Sequence, residues 1–263
     1  MLLKSKYIAI FFFLILTLTF AACTIDNEKK TVNNPVKIAV LDVAPSTLSA
    51  EFANVVFNPK EYCSVEKSHS DDICAIVYQL PKENTIIDLY VVGRNDIEAE
   101  LVKEALNAII GEQREYDAVN MSFYLKQWDN EIDALLRKLY LDGTVLIASA
   151  GNNARPYSEF PADSPYVISV AGVQDCGLLW KDSNYKRVDF AKSAVMKSLI
   201  DGEKLEGTSV SAALLTVDVG MIKIHGNYSQ VKSVKQFLIN SVDTKNAESG
   251  ESIGYGIPKV PYE

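Results

Sequence analysis

The chain has 263 residues, and 48% of them are hydrophobic. A chain of this size and composition buries one substantial core, so we expect a single folded domain. Its 34 acidic side chains outnumber its 26 basic ones and give a formal net charge of -8. This balance argues against nucleic acid as a partner, because polyanion binding needs clustered positive charge.

The N-terminus has the pattern of a secretory signal. Lys4 and Lys6 precede an apolar run over residues 8–20, and a pair of small alanines separates this run from Cys23. Basic, apolar and small-residue regions in this order predict export and cleavage. The apolar run is short for a membrane-spanning helix, which needs about 20 apolar residues, and an uncleaved anchor is the alternative.

Residues 20–23, Phe-Ala-Ala-Cys, resemble the bacterial lipoprotein signal, in which the cysteine is lipidated and becomes the mature N-terminus. The resemblance implies a signal peptide over residues 1–22, a lipid-anchored tether over 23–36 and a folded domain over 37–263. It implies a location at the extracytoplasmic face of a bacterial cell envelope, with the membrane reached through the lipid on Cys23. The alternative is an ordinary cleavage site beside an incidental cysteine, and hence a secreted protein.

Three further cysteines, Cys63, Cys74 and Cys176, are open to oxidation in an exported chain. Cys63 and Cys74 flank His69, and a disulfide between them would close a short loop around that histidine. The alternative is that these cysteines are small buried apolar side chains. No histidine or cysteine pair has the spacing of a zinc site, so we expect no metal.

Short apolar runs alternate along the chain with segments of helical spacing. Strands alternating with helices predict an α/β fold with a mostly parallel central sheet flanked by helices on both faces. Catalytic groups in such sheets collect at the carboxyl ends of the strands. The predicted strands are 36–41, 86–92, 118–121, 145–150 and 166–173, and the predicted helices include 96–110 and 131–141.

A serine near the end of the chain, Ser209 in the sequence Gly-Thr-Ser, is a candidate nucleophile. Its hydroxyl is weakly nucleophilic at neutral pH and needs a neighbouring base. Histidine is the natural base, and the chain has only two, His69 and His225. His225 precedes Gly226 at the end of a predicted helix, in the position of a helix-end residue with a glycine cap. His69 is therefore the candidate base.

Two more polar residues follow predicted strands. Asp42 comes after the first strand, and Asn152 comes after the fourth strand and a glycine. A carboxylate can orient an imidazole and stabilise its protonated form, and an asparagine amide can donate to a developing negative charge. Each candidate also has an ordinary structural interpretation: Asp42 and Asn152 as turn residues, Ser209 as a helix N-cap and His69 as a surface residue.

Taken together and in this order, these segments resemble the subtilisin-like serine protease family. The resemblance runs from about residue 37 to residue 257, and its specific feature is the order of the motifs along the chain. The segments that carry it are 37–42, 68–69, 117–122, 148–152, 160–162, 167–170, 207–209 and 254–257.

The resemblance implies a role for each candidate. Asp42 is the orienting acid, His69 the general base and then acid, Ser209 the nucleophile and Asn152 an oxyanion donor. It also implies an extended protein or peptide substrate, no cofactor, and a cis bond before Pro161. The implied substrate-binding residues are Ser122, Phe123, Tyr124, Ser149, Ala150 and Gly151.

The chain departs from the family pattern beside its catalytic positions. Ser70, Asp71 and Asp72 follow His69, where the family usually has glycine, threonine and a second histidine. Two carboxylates so close to an imidazole raise its pKa if they face it. Ala213 stands where the family usually has a proline.

The sequence predicts a divergent serine endopeptidase that hydrolyses peptide bonds through Asp42, His69 and Ser209 and an acyl-enzyme. A catalytically inactive lipoprotein that binds peptides or a partner protein is the second hypothesis. An esterase is the third, because the same serine chemistry serves many acyl groups. Retention of all four catalytic side chains favours the active enzyme.

Overall fold

The structure is a computed structural model that describes residues 34–46, 51–58, 67–111, 115–174, 177–226, 228, 230–242 and 253–261. All of these residues belong to one compact unit, Asn34–Glu263. The predicted signal peptide, 1–22, and Cys23 lie outside the described residues, as does most of the predicted tether, 23–36.

Seven strands form one sheet in the order β2-β3-β1-β4-β5-β6-β7, and every neighbouring pair is parallel. The predicted mostly parallel sheet is therefore confirmed. The strands are β1 (Val36–Asp42), β2 (Asn54–Phe57), β3 (Thr85–Val91), β4 (Ala118–Met121), β5 (Val145–Ser149), β6 (Val167–Val173) and β7 (Phe190–Ser193), while β8 (Val195–Lys197) and β9 (Lys204–Glu206) form a separate antiparallel hairpin.

In the part of the chain that the structure describes, five α-helices cover the two faces of the sheet, and a 3-10 turn, Lys82–Asn84, precedes β3. Side chains of α1, α4 and α5 share one apolar core with one face of the sheet, and side chains of α2 and α3 share a second core with the other face. The helices are α1 (His69–Val77), α2 (Ala99–Gly111), α3 (Asn130–Leu141), α4 (Thr208–His225) and α5 (Val231–Asn240).

The central strand β1 shows why its sequence is continuously apolar. Successive side chains of a strand point to opposite faces of the sheet. Ile38 and Val40 accordingly lie in the core beneath α1 and α4, while Ala39 and Leu41 lie in the core beneath α2 and α3. A strand covered on both faces has no solvent-facing positions, so no polar alternation is seen.

Some elements were not visible in the apolar pattern. The strands β2, β7, β8 and β9 have only three or four residues each, and residues of β2 and the β8–β9 hairpin are partly or largely exposed. His225 is the last residue of α4, as predicted, although the following Gly226 is extended (φ -132°) and not left-handed. The predicted cis bond before Pro161 is present.

The strand order determines where the predicted catalytic residues lie. The chain leaves β1, builds β2 and β3 on one side of it, and then crosses to β4 on the other side. Such a reversal in a parallel sheet opens a crevice at the carboxyl ends of the strands, where ligands bind. Asp42 ends β1 at this crevice, and the segments after β4 and β5 begin there.

Cys74 is a free thiol and is fully buried in α1. Burial, followed by the charges of Asp42 and Asp71, raises the pKa of this thiol well above its usual range. A thiol that stays protonated is a poor nucleophile, so Cys74 acts as a small core residue. Cys63 and Cys176, the other two cysteines considered above, lie outside the described residues.

Within the described ranges, no helix has the length and apolar character that crossing a membrane requires.

Two leucines of α3 offer a matched test of this packing. Leu136 is fully buried, whereas Leu141 is 64% exposed. We predict that Leu136→Ala lowers the free energy of unfolding by about 2–5 kcal/mol, because it removes buried apolar surface and leaves a cavity. Leu141→Ala should change it by no more than about 0.5 kcal/mol. Urea unfolding measures both, and equal effects of the two substitutions would contradict the packing.

Candidate active site

Asp42 and His69 are joined by a hydrogen bond. The Asp42 carboxylate is 1% exposed, and its two oxygens lie 2.9 and 3.0 Å from His69 Nδ1. It also accepts a 2.7 Å hydrogen bond from the N–H of Val43. Because an ionised carboxylate can only accept hydrogen bonds, Nδ1 carries the imidazole proton and Nε2 of the neutral ring is left as the base.

His69 is the first residue of α1, and the start of this helix is fixed by Asp71. Asp71 accepts a 2.7 Å hydrogen bond from the Ser68 N–H and 3.3 Å bonds from the Ser46 N–H. A carboxylate in this position satisfies N–H groups that have no partner within the helix. Asp71 therefore holds the segment that carries His69, and the imidazole itself is 43% exposed.

Asp72, the second carboxylate of the unusual pair, points towards the β8–β9 hairpin. It accepts a 2.7 Å hydrogen bond from Ser198 Oγ and lies 3.4 Å from Lys67 Nζ. Lys67 also pairs with Asp201 in the turn of that hairpin. Asp72 thus ties the start of α1 to the hairpin whose second strand leads into Gly207.

The pKa of His69 is raised above its ordinary value. The partial loss of water around the ring opposes the charged form and lowers the pKa, but the charge and hydrogen bond of Asp42, followed by the charge of Asp72, outweigh it. Of the two adjacent acids, Asp72 is the one whose charge contributes to this rise in the pKa of His69. The network stabilises the imidazolium that forms when His69 takes a proton.

Ser209 is the second residue of α4 and is 9% exposed. Gly207 precedes the helix with φ +150°, a conformation that L side chains rarely adopt, and allows the sharp turn from β9 into the helix. Ser122, at the end of β4, donates a 3.0 Å hydrogen bond to the carbonyl oxygen of Ser209. Ser122 thus anchors the backbone of the predicted nucleophile.

His69 and Ser209 line the same cleft. In this part of the described chain no hydrogen bond joins the imidazole to the Ser209 hydroxyl. Catalytic hydrogen bonds in enzymes without substrate are often long and shorten in the substrate complex. The arrangement brings the predicted base and the predicted nucleophile to one cleft.

The side chain of Asn152 is oriented by Thr208. Asn152 Oδ1 accepts hydrogen bonds from the Thr208 N–H at 2.9 Å and from Thr208 Oγ1 at 2.7 Å. Thr208 Oγ1 in turn accepts a 3.2 Å bond from the Gly151 N–H. Because the oxygen of the Asn152 amide is held at the start of α4, its Nδ2 group is left to donate elsewhere.

Three polar groups converge beside Gly207. A methyl group in the Cβ position of Gly207 would lie 3.2 Å from Ser209 Oγ, 3.5 Å from Asn152 Nδ2 and 3.8 Å from the Ser209 nitrogen. The N–H groups of the first helical turn have no partner within the helix and carry the positive end of its dipole. A hydroxyl and two N–H donors around one point form a setting for a developing oxyanion.

The cleft has a volume of about 720 Å³ and also contains most of the predicted substrate-binding residues. Ala150 is the exception, because it is fully buried behind the cleft wall and does not line it. The predicted residues that line the cleft are Ser122, Phe123, Tyr124, Ser149 and Gly151.

Sequence reasoning missed one side of the cleft. It includes Ile97, in the loop before α2, and Trp128, which packs on Phe160 with ring centroids 4.7 Å apart. Trp128 and Tyr124 are exposed large aromatic side chains. Two aromatic residues so close in sequence could have suggested a binding surface, but only the fold shows that both line the cleft.

A model of the subtilase family matches residues 82–256, more than half of the chain, so the chain belongs to the subtilase family. The matched region contains Asn152 and Ser209 and begins after Asp42 and His69. No curated protein matches the chain.

Solved protease structures share the fold. The prenylagaramide maturation protease PagA aligns with a TM-score of 0.67 and 14% identity, over 86% of this chain and 90% of that chain. A serine-to-alanine variant of the protease domain of PatA aligns with a TM-score of 0.68 and 15% identity, over 88% and 95%. The α/β architecture is therefore that of subtilisin-like proteases.

The chain has only two histidines, so an NMR titration can assign the imidazole of His69 with one variant, His225→Gln. We predict a His69 pKa above the ordinary value of 6.5. Asp42→Asn should lower it, because the strongest attractive charge is lost, and Asp72→Asn should lower it by less.

The sign of this shift has two consequences. The raised pKa stabilises the fold at low pH, and that contribution is lost as the pH rises through the folded-state value. A reaction that uses neutral His69 as its base should instead become faster as the pH rises through the His69 pKa, because more of the imidazole is then neutral. A His69 pKa at or below 6.5, or one unchanged in Asp42→Asn, would refute the assignment.

Proposed function

We propose that this subtilase is a divergent serine endopeptidase with Asp42, His69 and Ser209 as its catalytic triad. The observation that carries the proposal is the hydrogen bond from His69 Nδ1 to the buried Asp42, made at a cleft that Ser209 and Asn152 also line. These are the three roles that an activated serine requires, namely nucleophile, base and orienting acid.

The first half of the reaction forms an acyl-enzyme. Ser209 Oγ attacks the carbonyl carbon of a peptide bond while its proton passes to His69 Nε2. The carbonyl oxygen becomes an oxyanion and accepts hydrogen bonds from Asn152 Nδ2 and the Ser209 N–H. When the tetrahedral intermediate collapses, the C–N bond breaks, His69 gives its proton to the leaving amine and the acyl group remains on Ser209.

The second half restores the enzyme. Water gives a proton to His69 Nε2 as its oxygen attacks the acyl carbon, and the same donors stabilise the second oxyanion. The bond to Ser209 then breaks, the proton returns to Ser209 Oγ and the carboxylic acid product leaves. Asp42 stays ionised throughout and stabilises the imidazolium of His69.

The substrate proposed for this site is an extended segment of a protein or peptide. The cleft runs along the segment that follows β4, from Ser122 to Asp129, and an extended peptide can lie along this segment. Tyr124 and Trp128 give the cleft two exposed aromatic surfaces. They favour apolar or aromatic side chains in the substrate.

We propose further that the enzyme acts outside the cytoplasm and is held on the bacterial envelope by a lipid on Cys23. This rests on the order of the basic, apolar and small residues before Cys23. A fatty acid analogue carrying an alkyne should label the full chain expressed in bacteria and should not label Cys23→Ser. Equal labelling of both would overturn the anchor.

Activation of Ser209 can be measured without a known substrate. A phosphonofluoridate probe should label the wild type and not Ser209→Ala. Ser233→Ala, which changes an exposed serine of α5, is the matched control and should label normally. Asn152→Ala should label about 100- to 1,000-fold more slowly, because one oxyanion donor is lost.

The outcomes separate the proposals. A wild type that is not labelled, but binds peptides through the cleft, is the inactive binding protein. A labelled wild type that cleaves small esters and no peptide in a peptide library is an esterase. Equal labelling of wild type and Ser209→Ala would exclude Ser209 as the nucleophile.

A further inference from the structure

Asn184 is a fully buried amide in the segment between β6 and β7, outside the residues assigned to catalysis above. Its side chain crosses to the turn after β5 that carries Asn152. The Asn184 Oδ1 accepts hydrogen bonds from the N–H groups of Asn153 at 3.1 Å and Arg155 at 2.9 Å. The Asn184 Nδ2 donates a 2.9 Å bond to the carbonyl oxygen of Ala150.

The backbone of Asn184 adds a fourth contact, since its N–H donates a 2.9 Å bond to the carbonyl oxygen of Gly151. The four bonds therefore hold residues on both sides of Asn152: two before it and two after it. Asn152 itself is exposed, and none of these bonds involves its side chain. Asn184 thus fixes the backbone from which the Asn152 amide projects.

The turn needs this support because its backbone is unusual. Gly151 has φ +110° and Ala154 has φ +52°, and left-handed residues persist only where surrounding contacts over-determine them. A Cβ on Gly151 would lie 2.4 Å from Asn184 Nδ2, so the amide of Asn184 is pressed directly against this backbone. A residue without that amide leaves the N–H groups of Asn153 and Arg155 without the acceptor that they have here.

We propose that Asn184 is a positioning residue that holds the Asn152 amide in place for the oxyanion. Asn184 bonds to the backbone on either side of Asn152, whereas Thr208 bonds to the Asn152 side chain itself. The inference rests on the proposed function, since a misplaced Asn152 matters to catalysis only if an oxyanion forms there. A displacement of about 1 Å at such a donor can cost about 100-fold in rate.

The first test is a double-mutant cycle on the rate of phosphonofluoridate labelling. Asn184→Leu, which keeps the branching of the side chain at Cγ and removes its polar atoms, should slow labelling about 10- to 100-fold. In an Asn152→Ala background the same change should cost little more, because the group that Asn184 positions is already absent. Losses that multiply in the double variant, or an unchanged rate in Asn184→Leu, would overturn the proposal.

Ser158→Ala is the matched control. Ser158 is also buried and ties the same two segments together, since its hydroxyl donates a 3.0 Å bond to the Arg187 carbonyl. This bond reaches none of the residues that flank Asn152. The control should label within about threefold of wild type. A loss as large as that of Asn184→Leu would show a general effect of loop packing and refute a specific role.

The second test does not depend on activity. The side-chain amide signal of Asn152 in a ¹⁵N spectrum can be assigned by its loss in Asn152→Ala. This signal should shift or broaden in Asn184→Leu and stay in place in Ser158→Ala. If Asn184→Leu does not fold, Asn184→Asp takes its place, because it keeps the two acceptor bonds and loses only the donor to Ala150.

These readouts separate the two proposals. If the wild type is not labelled, the proposed function fails and the Asn152 signal alone decides whether Asn184 places that amide. If the wild type is labelled and the Asn152 signal is unmoved by the Asn184 variant, the endopeptidase proposal stands and the positioning role is refuted.

Discussion

The site is organised around a carboxylate that the fold removes from water. A buried charge is costly unless it is hydrogen-bonded or paired, and Asp42 meets this requirement with the Val43 N–H and the His69 imidazole. The contact joins the end of β1 to the start of α1, so the same bond orients the base and docks the helix. The roles proposed for Ser209 and Asn152 rest on the cleft that both residues share with that imidazole.

The other half of the site is built from the first residues of α4. Thr208 links the turn after β5 to this helix through its hydroxyl and its N–H, and Ser209 shares the same helical turn. The proposed nucleophile and the proposed oxyanion donor are therefore both held at the start of α4, and Asn184 bonds to the backbone on either side of Asn152. This sharing limits the independent movement of the two groups.

How much the sequence could reveal depended on whether a residue's role is local. The β1 strand and the position of Asp42 at its end followed from a continuous apolar run, and the two-histidine composition restricted the base. The different contacts of Asp71 and Asp72 could not be predicted, because their hydrogen-bond donors, Ser46 and Ser198, are distant in sequence. Short strands such as β2 have too few residues to show a hydrophobic period. The sequence also could not show that Gly151 lines the cleft and Ala150 does not, because this depends on how the fold orients the two residues.

The geometry around Gly207 bears on how this lineage can change. Residues beside the active site have drifted from the family pattern, as at Asp71 and Asp72, without disturbing the core contacts. Position 207 has less freedom, because its φ of +150° is one that L side chains rarely adopt and a Cβ there would lie 3.2 Å from the Ser209 hydroxyl oxygen. Substitutions around the imidazole can therefore be accommodated by new hydrogen bonds, whereas any side chain at position 207 strains the backbone that leads into Ser209.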